Sequence, residues 1–246
     1  MTSQTDSEIA VVIGANGGIG RALVAALRLD ARFGHVVGLS RRRPDDLIDD
    51  AGQTWMKADI LKAPSLLAAA RRVTSLGTPT RVIVATGALH GDNLHPEKSL
   101  RALSADALAD VFRTNAIGPA LVAQHFLPVM PRDRASVFAA LSARVGSIAD
   151  NRAGGWYSYR AAKAALNMII RTAAIEHARS HPLGVCVAIH PGTVATSLSG
   201  PFTGRTPPAR LFTPQIAARH ILRVLDGLSP EASGGFYAWD GAAIPW

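Results

Sequence analysis

Short apolar runs without polar alternation punctuate this chain, and between them lie longer stretches whose apolar positions recur at helical spacing. The first run, Ile9-Ala10-Val11-Val12-Ile13, is rich in β-branched residues and predicts a strand buried on both faces of a parallel sheet. Comparable runs predict strands at 35–39, 54–58, 81–85, 136–141 and 185–189, with a last short one at 236–239. Helical patterns fill the intervals at 21–29, 64–75, 157–177 and 214–225, and one long helix runs from 105 to 130. Two of them carry start signals: Ser104 is an N-cap ahead of Asp106, and Thr213 precedes Pro214. Strands alternating with helices predict an α/β fold, a doubly wound parallel sheet with helices on both faces, as one domain over residues 1–246. Ligands of such sheets bind where strands end at their carboxyl edge, and Gly14, Arg41, Asp59, Gly87, Ser142 and Pro191 all fall at such ends.

The first strand runs directly into Gly14-Ala15-Asn16-Gly17-Gly18-Ile19-Gly20 and then into a helix. Strand, glycine turn and helix form a phosphate-binding arrangement: the glycines let backbone approach a pyrophosphate, and the helix N-terminus supplies free N–H groups and partial positive charge. The Gly-x-x-x-Gly-x-Gly spacing departs from the commoner dinucleotide fingerprint. The second strand ends at Ser40-Arg41-Arg42-Arg43, where an NAD-binding unit would place an acid to accept from the ribose 2′-hydroxyl. A guanidinium there matches a 2′-phosphate, which favours NADP over NAD. Asp59-Ile60 closes the third strand at an edge suited to the adenine ring.

Tyr159 and Lys163 are four residues apart, one turn apart on one helix face. A phenol ordinarily titrates near pH 10, and a neighbouring ammonium favours its anion, so the pair is expected to exchange protons near neutrality with a carbonyl or an alcohol. Asn115 lies within the long helix, and Ser142 follows the fifth strand. The polar loop 88–103 borders this site, and the segment 197–212, rich in Gly, Pro and Thr, suits a mobile lid.

With 246 residues, 48% of them hydrophobic, the chain can bury a substantial core. The formal charge of +8 comes from scattered basic residues rather than a stripe, which argues for a solvated surface and against nucleic acid. A lone cysteine, Cys186, in an apolar strand suits a reducing compartment. The polar start of the chain has no basic region and no run reaches the length of a membrane span, so a soluble cytoplasmic protein with no membrane partner is expected.

In order and interval, Gly14, Gly18 and Gly20, Asn115, Ser142, Tyr159-x-x-x-Lys163, Pro191-Gly192 and Thr196 resemble the short-chain dehydrogenase/reductase family over nearly the whole chain. More narrowly, Ser142-Ala143-Arg144-Val145-Gly146-Ser147, Gly154-Gly155-Trp156-Tyr157-Ser158-Tyr159-Arg160 and the closing Ala238-Trp239-Asp240-Gly241 resemble its C-factor and sniffer-like carbonyl reductase branch. The resemblance implies a Rossmann fold, an NADP cofactor, no metal, and a small carbonyl or alcohol substrate. Tyr159 would act as acid and base, Lys163 would lower the Tyr159 pKa and hold ribose hydroxyls, and Asn115 would link Lys163 to a water chain. Val194 and Thr196 would contact the carboxamide, with Pro191 and Gly192 beside them. A homodimer or homotetramer would form through the helices at 105–130 and 157–177. Three departures from the family pattern stand out: Ala143 stands where the serine is usual, Ala85-Thr86-Gly87 replaces Asn-Ala-Gly, and Ile13 replaces a threonine. Ser142 fills the serine role only if the strand has ended and turns it inward, and Ser147 is the other available hydroxyl. The competing expectation is a cofactor-binding signalling or interaction protein with weak or no turnover.

Overall fold

Ile9, Ala10, Val11 and Val12 are wholly buried because other strands flank β1 (Glu8–Ile13) on both sides and helices cover both of its faces. The computed structural model describes residues 7–44, 50–91, 94–204 and 206–246. After β1 come α1 (Gly18–Arg28), β2 (His35–Ser40), β3 (Gln53–Lys57), α2 (Ala63–Leu76) and β4 (Thr78–Val84). They are followed by α3 (Ala105–Phe112), α4 (Gly118–Phe126), β5 (Ser136–Leu141), α5 (Tyr157–Ala178) and β6 (Gly184–His190). The chain closes with β7 (Thr193–Val194), β8 (Leu211–Phe212), α6 (Pro214–Asp226) and β9 (Phe236–Ala238).

Seven strands pair in the order β3-β2-β1-β4-β5-β6-β9, and every pairing is parallel. The strand order reverses direction between β1 and β4, the place where sheets of this kind form a crevice. Alternation along each strand divides the core in two. Ile9, Val11, Phe138 and Ala140 pack under α2, α4 and α5 with Leu66, Phe126, Leu166 and Ile170. Ala10, Val12, Ala139 and Leu141 pack on the other face with Leu23 and Leu27 of α1 and Ile221 and Leu225 of α6.

The long helix expected over 105–130 is broken. A π turn at Arg113–Ile117 separates α3 from α4, and a short 3-10 turn follows at Leu127–Val129. Two local causes are evident: Pro119 cannot donate to the carbonyl four residues back, and the Asn115 side chain takes the Val111 carbonyl at 2.9 Å for itself. Two-residue strands were also beyond the reach of periodicity. The β7–β8 pair joins both ends of the 197–212 segment to the rest of the fold, with Ala195 N donating to Phe212 O at 2.8 Å.

Candidate active site

A cleft of about 790 Å3 opens at the β1–β4 crossover. Gly14 and Asn16 of the glycine turn line it, with Ser40 and Arg41 at the end of β2, Asp59 and Ile60 beyond β3, and Gly87 beyond β4. The turn is tight for steric reasons. Gly14 has φ +89°, and a side chain there would meet the Ala85 carbonyl at 2.9 Å. A Cβ on Gly20 would meet Gly14 O at 2.1 Å, so the first turn of α1, with Ile19 in it, packs directly on the strand end. No side chain caps α1, whose N-cap is Gly17, so the positive end of the helix is presented at the cleft wall. Gly18 faces the segment after β6, where a Cβ would lie 2.8 Å from Thr196 Cγ2. Without the hydroxyl that Ile13 lacks, the turn is held by Gly14 N and Ala15 N, both donating to Leu39 O at 2.8 and 3.1 Å.

The cationic side of the cleft is broader than Arg41 alone, since Arg42 and Lys57 also line it. Lys57 escaped the sequence reading, although its place at the end of a parallel strand was the available signal. Ser40 is occupied: its hydroxyl donates to Arg42 O at 2.6 Å and accepts from Trp55 Nε1 at 2.7 Å, which shapes the arginine loop. Asp59 accepts from Leu61 N at 3.0 Å. Thr86 lines the cleft, and its buried Oγ1 has no hydrogen-bond partner among the described residues. An elongated crevice with a bare helix N-terminus, three cations and an orphaned hydroxyl fits a phosphorylated dinucleotide.

Tyr159 and Lys163 share one face of α5, with the ammonium 5.7 Å from the phenol ring centre. Both are buried, Tyr159 at 8% exposure and Lys163 at 2%. The Tyr159 hydroxyl has no hydrogen-bond partner among the described residues, and Lys163 Nζ donates to Leu141 O at 2.8 Å. Burial pushes the phenol above its ordinary value of 10 and lowers the lysine to about 7. The shift runs opposite to the sequence expectation of a phenol drawn down by its lysine, because desolvation favours the protonated form, the form that donates to a carbonyl. Asn115 does not reach Lys163 through its side chain. Its amide donates to Ala88 O at 2.7 Å and accepts from Ala88 N at 3.2 Å, fastening the π turn to the end of β4. The π turn thus stands at the functional edge of the sheet, a frequent location for such bulges.

Ser142 needs correction as a catalytic residue. Ser142 N donates to Ile189 O at 2.7 Å, which extends the β5–β6 ladder, and Ala143 stays extended at φ −148°, ψ 144°. Although β5 ends at Leu141, the backbone stays extended through Ala143, so these neighbours still point to opposite faces. The Ser142 hydroxyl donates to Asn167 Oδ1 at 2.7 Å, while Ala143 packs on the cluster that contains Tyr159, Leu89, Val111 and Ala162. Ser147 is also spent, donating to Pro245 O at 2.5 Å and accepting from Asp150 N at 3.1 Å.

The two halves of the site meet at Gly87, where a Cβ would stand 3.5 Å from both Asn115 Oδ1 and Leu198 Cδ1, and Leu198 packs on the Tyr159 cluster. Beyond β6, Pro191 leads into Gly192, which has φ +82° and lies against the Phe212 and Trp239 rings. Val194 is buried in β7. From the 197–212 segment Phe202 reaches the Trp156 ring at 5.1 Å, and Trp156 lies 6.3 Å from the Tyr159 ring. The wall facing the phenol is thus aromatic and apolar, with Ala143, Val145, Leu198 and Phe202 in it.

A parallel sheet with a dinucleotide-sized cleft at its crossover, and a buried tyrosine–lysine pair beside it, defines an oxidoreductase of the nicotinamide-dependent kind. The chain belongs to the short-chain dehydrogenase family, whose sequence model, "short chain dehydrogenase", matches residues 8–205. Within that family its sequence relatives include C-signal, in keeping with the C-factor resemblance. It is 40% identical over 140 residues to C-signal of Myxococcus xanthus, covering 56% of this chain and 78% of that protein. Among solved structures, the carbonyl reductase Sniffer of D. melanogaster superposes with a TM-score of 0.83 at 22% identity, over 98% of this chain and 99% of that one. The NADPH-bound carbonyl reductase from chicken fatty liver gives 0.80 at 25% identity, covering 98% and 94%. Among the described residues, no helix is long and apolar enough to cross a membrane.

Proposed function

We propose that the protein reduces a small or medium-sized uncharged carbonyl compound with NADPH, or oxidises the matching alcohol with NADP, with Tyr159 as the acid and base. The observation that carries this reading is the Tyr159 hydroxyl, unpartnered, kept protonated by burial, and one helical turn from Lys163. The bound cofactor supplies the hydride. Tyr159 donates its proton to the carbonyl oxygen in reduction and recovers one from the alcohol in oxidation. Lys163, lowered to about 7, regains its positive charge readily when an anion or polar group approaches, and that charge stabilises the phenolate left by proton transfer. Arg41, Arg42 and Lys57 give the cleft its preference for a 2′-phosphate. The apolar wall of Ala143, Val145, Trp156 and Phe202 excludes water from the reacting atoms and favours an uncharged substrate.

Titration with NADPH and NADH in parallel, followed by a screen of aromatic and aliphatic carbonyl compounds, tests the reading. Tight NADPH binding and turnover that Tyr159→Phe abolishes is the expected result. Binding of neither nucleotide, or unchanged turnover in Tyr159→Phe, overturns it.

A further inference from the structure

The helix that carries the proposed acid begins in a strained and uncapped way. Gly154, Gly155 and Trp156 are all left-handed, with φ of 63°, 64° and 53°. The two glycines adopt this without cost, whereas a side-chain-bearing residue there is disfavoured by roughly 1–2 kcal/mol. Trp156 is the N-cap of α5, yet no side chain of the helix start caps its free N–H groups, and no acidic residue stands in the first turn. A strained backbone persists only where its surroundings hold it in place, and here the hold comes from outside the helix.

It comes from Glu97, sixty-one residues before Ser158 in sequence. The Glu97 carbonyl accepts from Trp156 N at 2.5 Å, and its carboxylate Oε2 accepts from Ser158 N at 3.1 Å. The other carboxylate oxygen accepts from the Ser158 hydroxyl. Glu97 is only 5% exposed, so the carboxylate is removed from water and compensated by these donors and by the positive end of α5. One residue therefore fixes the backbone on both sides of Tyr157 and bonds directly to the neighbour of Tyr159. It also holds Trp156 where its ring meets Tyr159 and Phe202.

We infer that Glu97 is a positioning residue for the proposed reaction: it supplies the N-cap that α5 lacks, and thereby sets the direction of the Tyr159 hydroxyl and the place of Trp156 in the substrate wall. The inference rests on the proposed role of Tyr159 for its effect on turnover, but the clamp itself is independent of that role. Glu97 touches neither the cleft nor the Tyr159 hydroxyl, so its loss leaves cofactor binding intact.

Glu97→Ala and Glu97→Gln are compared with wild type in kcat, KM, NADPH Kd, melting temperature and hydrogen exchange of the peptide covering residues 156–162. Val73→Ala, a core change in α2, serves as a control for general destabilisation. In Glu97→Ala the kcat falls tenfold or more, the NADPH Kd stays within about threefold, and residues 156–162 exchange faster than in the control. Glu97→Gln keeps the shape and an acceptor and restores most of the activity. A kcat within twofold of wild type in Glu97→Ala, a loss no greater than that of the control, a glutamine variant as poor as the alanine variant, or unchanged exchange at 156–162 each overturns the inference. Should wild type reduce no carbonyl compound with NADPH, the proposed function fails, and the exchange comparison alone decides for or against the clamp.

Discussion

Ser142 Oγ donates to Asn167 Oδ1 across 2.7 Å, with both residues buried, and so ties the end of β5 to α5 one turn beyond Lys163. Lys163 makes a parallel tie to Leu141 O, and Asn167 Nδ2 reaches Gly146 O at 3.4 Å. The serine is a staple between strand and helix. Ser142→Ala leaves the Asn167 carbonyl oxygen buried without its donor, which costs about 1–3 kcal/mol. Urea unfolding should show that loss while kcat stays within about twofold. A large fall in kcat at unchanged stability would return Ser142 to the catalytic set.

Ala143 gives the complementary prediction. Its methyl group packs on the Tyr159 cluster, so a hydroxyl added there faces the phenol. A positioned donor to a reacting oxygen is worth about 100-fold in rate where it has been removed from other enzymes. Ala143→Ser should raise kcat with a carbonyl substrate by at least about tenfold, measured at saturating NADPH. No gain would mean that the apolar wall is itself the specificity element, with a second donor unnecessary.

Why Ser142 misled the sequence reading is a matter of one residue of strand length. Periodicity located every strand of the main sheet to within three residues, because parallel strands buried on both faces leave unbroken apolar runs. The tight turn at Gly14 and the placement of Tyr159 and Lys163 on one helix face were legible for equally local reasons: one needs positive φ and close approach, the other one turn of helix. What stayed hidden depended on contacts between distant segments. The π turn is bought by Asn115 bonding to Ala88, the raised Tyr159 pKa comes from burial in a cluster with Leu89, Val111 and Phe202, and the entry to α5 is held by Glu97. No window of local sequence contains these pairs.

Arg41 and Lys57 approach the cleft from adjacent strands, β2 and β3, paired in register through Ser40 and Lys57. Two cations around one phosphate predict that each alanine variant weakens NADPH by about tenfold or more, equivalent to roughly 1.4 kcal/mol, while NADH binding hardly changes. Fluorescence titration of the single variants and the double variant measures this. Equal losses for both nucleotides would place these residues on the diphosphate and remove the basis for an NADP preference.

The exposed face of α5 bears Met168 and Ile175, 66% and 52% exposed, and Ile117 beside it is 47% exposed. Apolar side chains in such a stripe suit burial against a second copy of the chain, in keeping with the dimer or tetramer expected from the sequence. Light scattering should give a multiple of 25.8 kDa for wild type and the monomer mass for Met168→Glu. A monomeric wild type at micromolar concentration would refute the pairing.

His177 and His181 stack at 4.0 Å near the end of α5, and Nε2 of each is buried without a partner. Burial and the neighbouring His181 lower His177 to about 4, and burial lowers His190 to about 4 as well. An unfolded imidazole titrates near 6.5. Between pH 6.5 and 4 the unfolded chain therefore binds protons at these positions and the folded chain does not, so stability falls as the pH drops through that window. The two lowered aspartates do not explain a loss there. Asp30, through its bonds to Arg32, and Asp226, despite its burial, through Arg32 and Arg81, both lie below 3.8 and lose their contribution only at lower pH. His177→Leu removes one proton-binding site from the unfolded side, and its urea midpoint should change less than that of wild type between pH 6.5 and 4.5. Identical slopes for the two proteins would show that His177 takes up its proton in the folded state, and that the stacked pair is open to water.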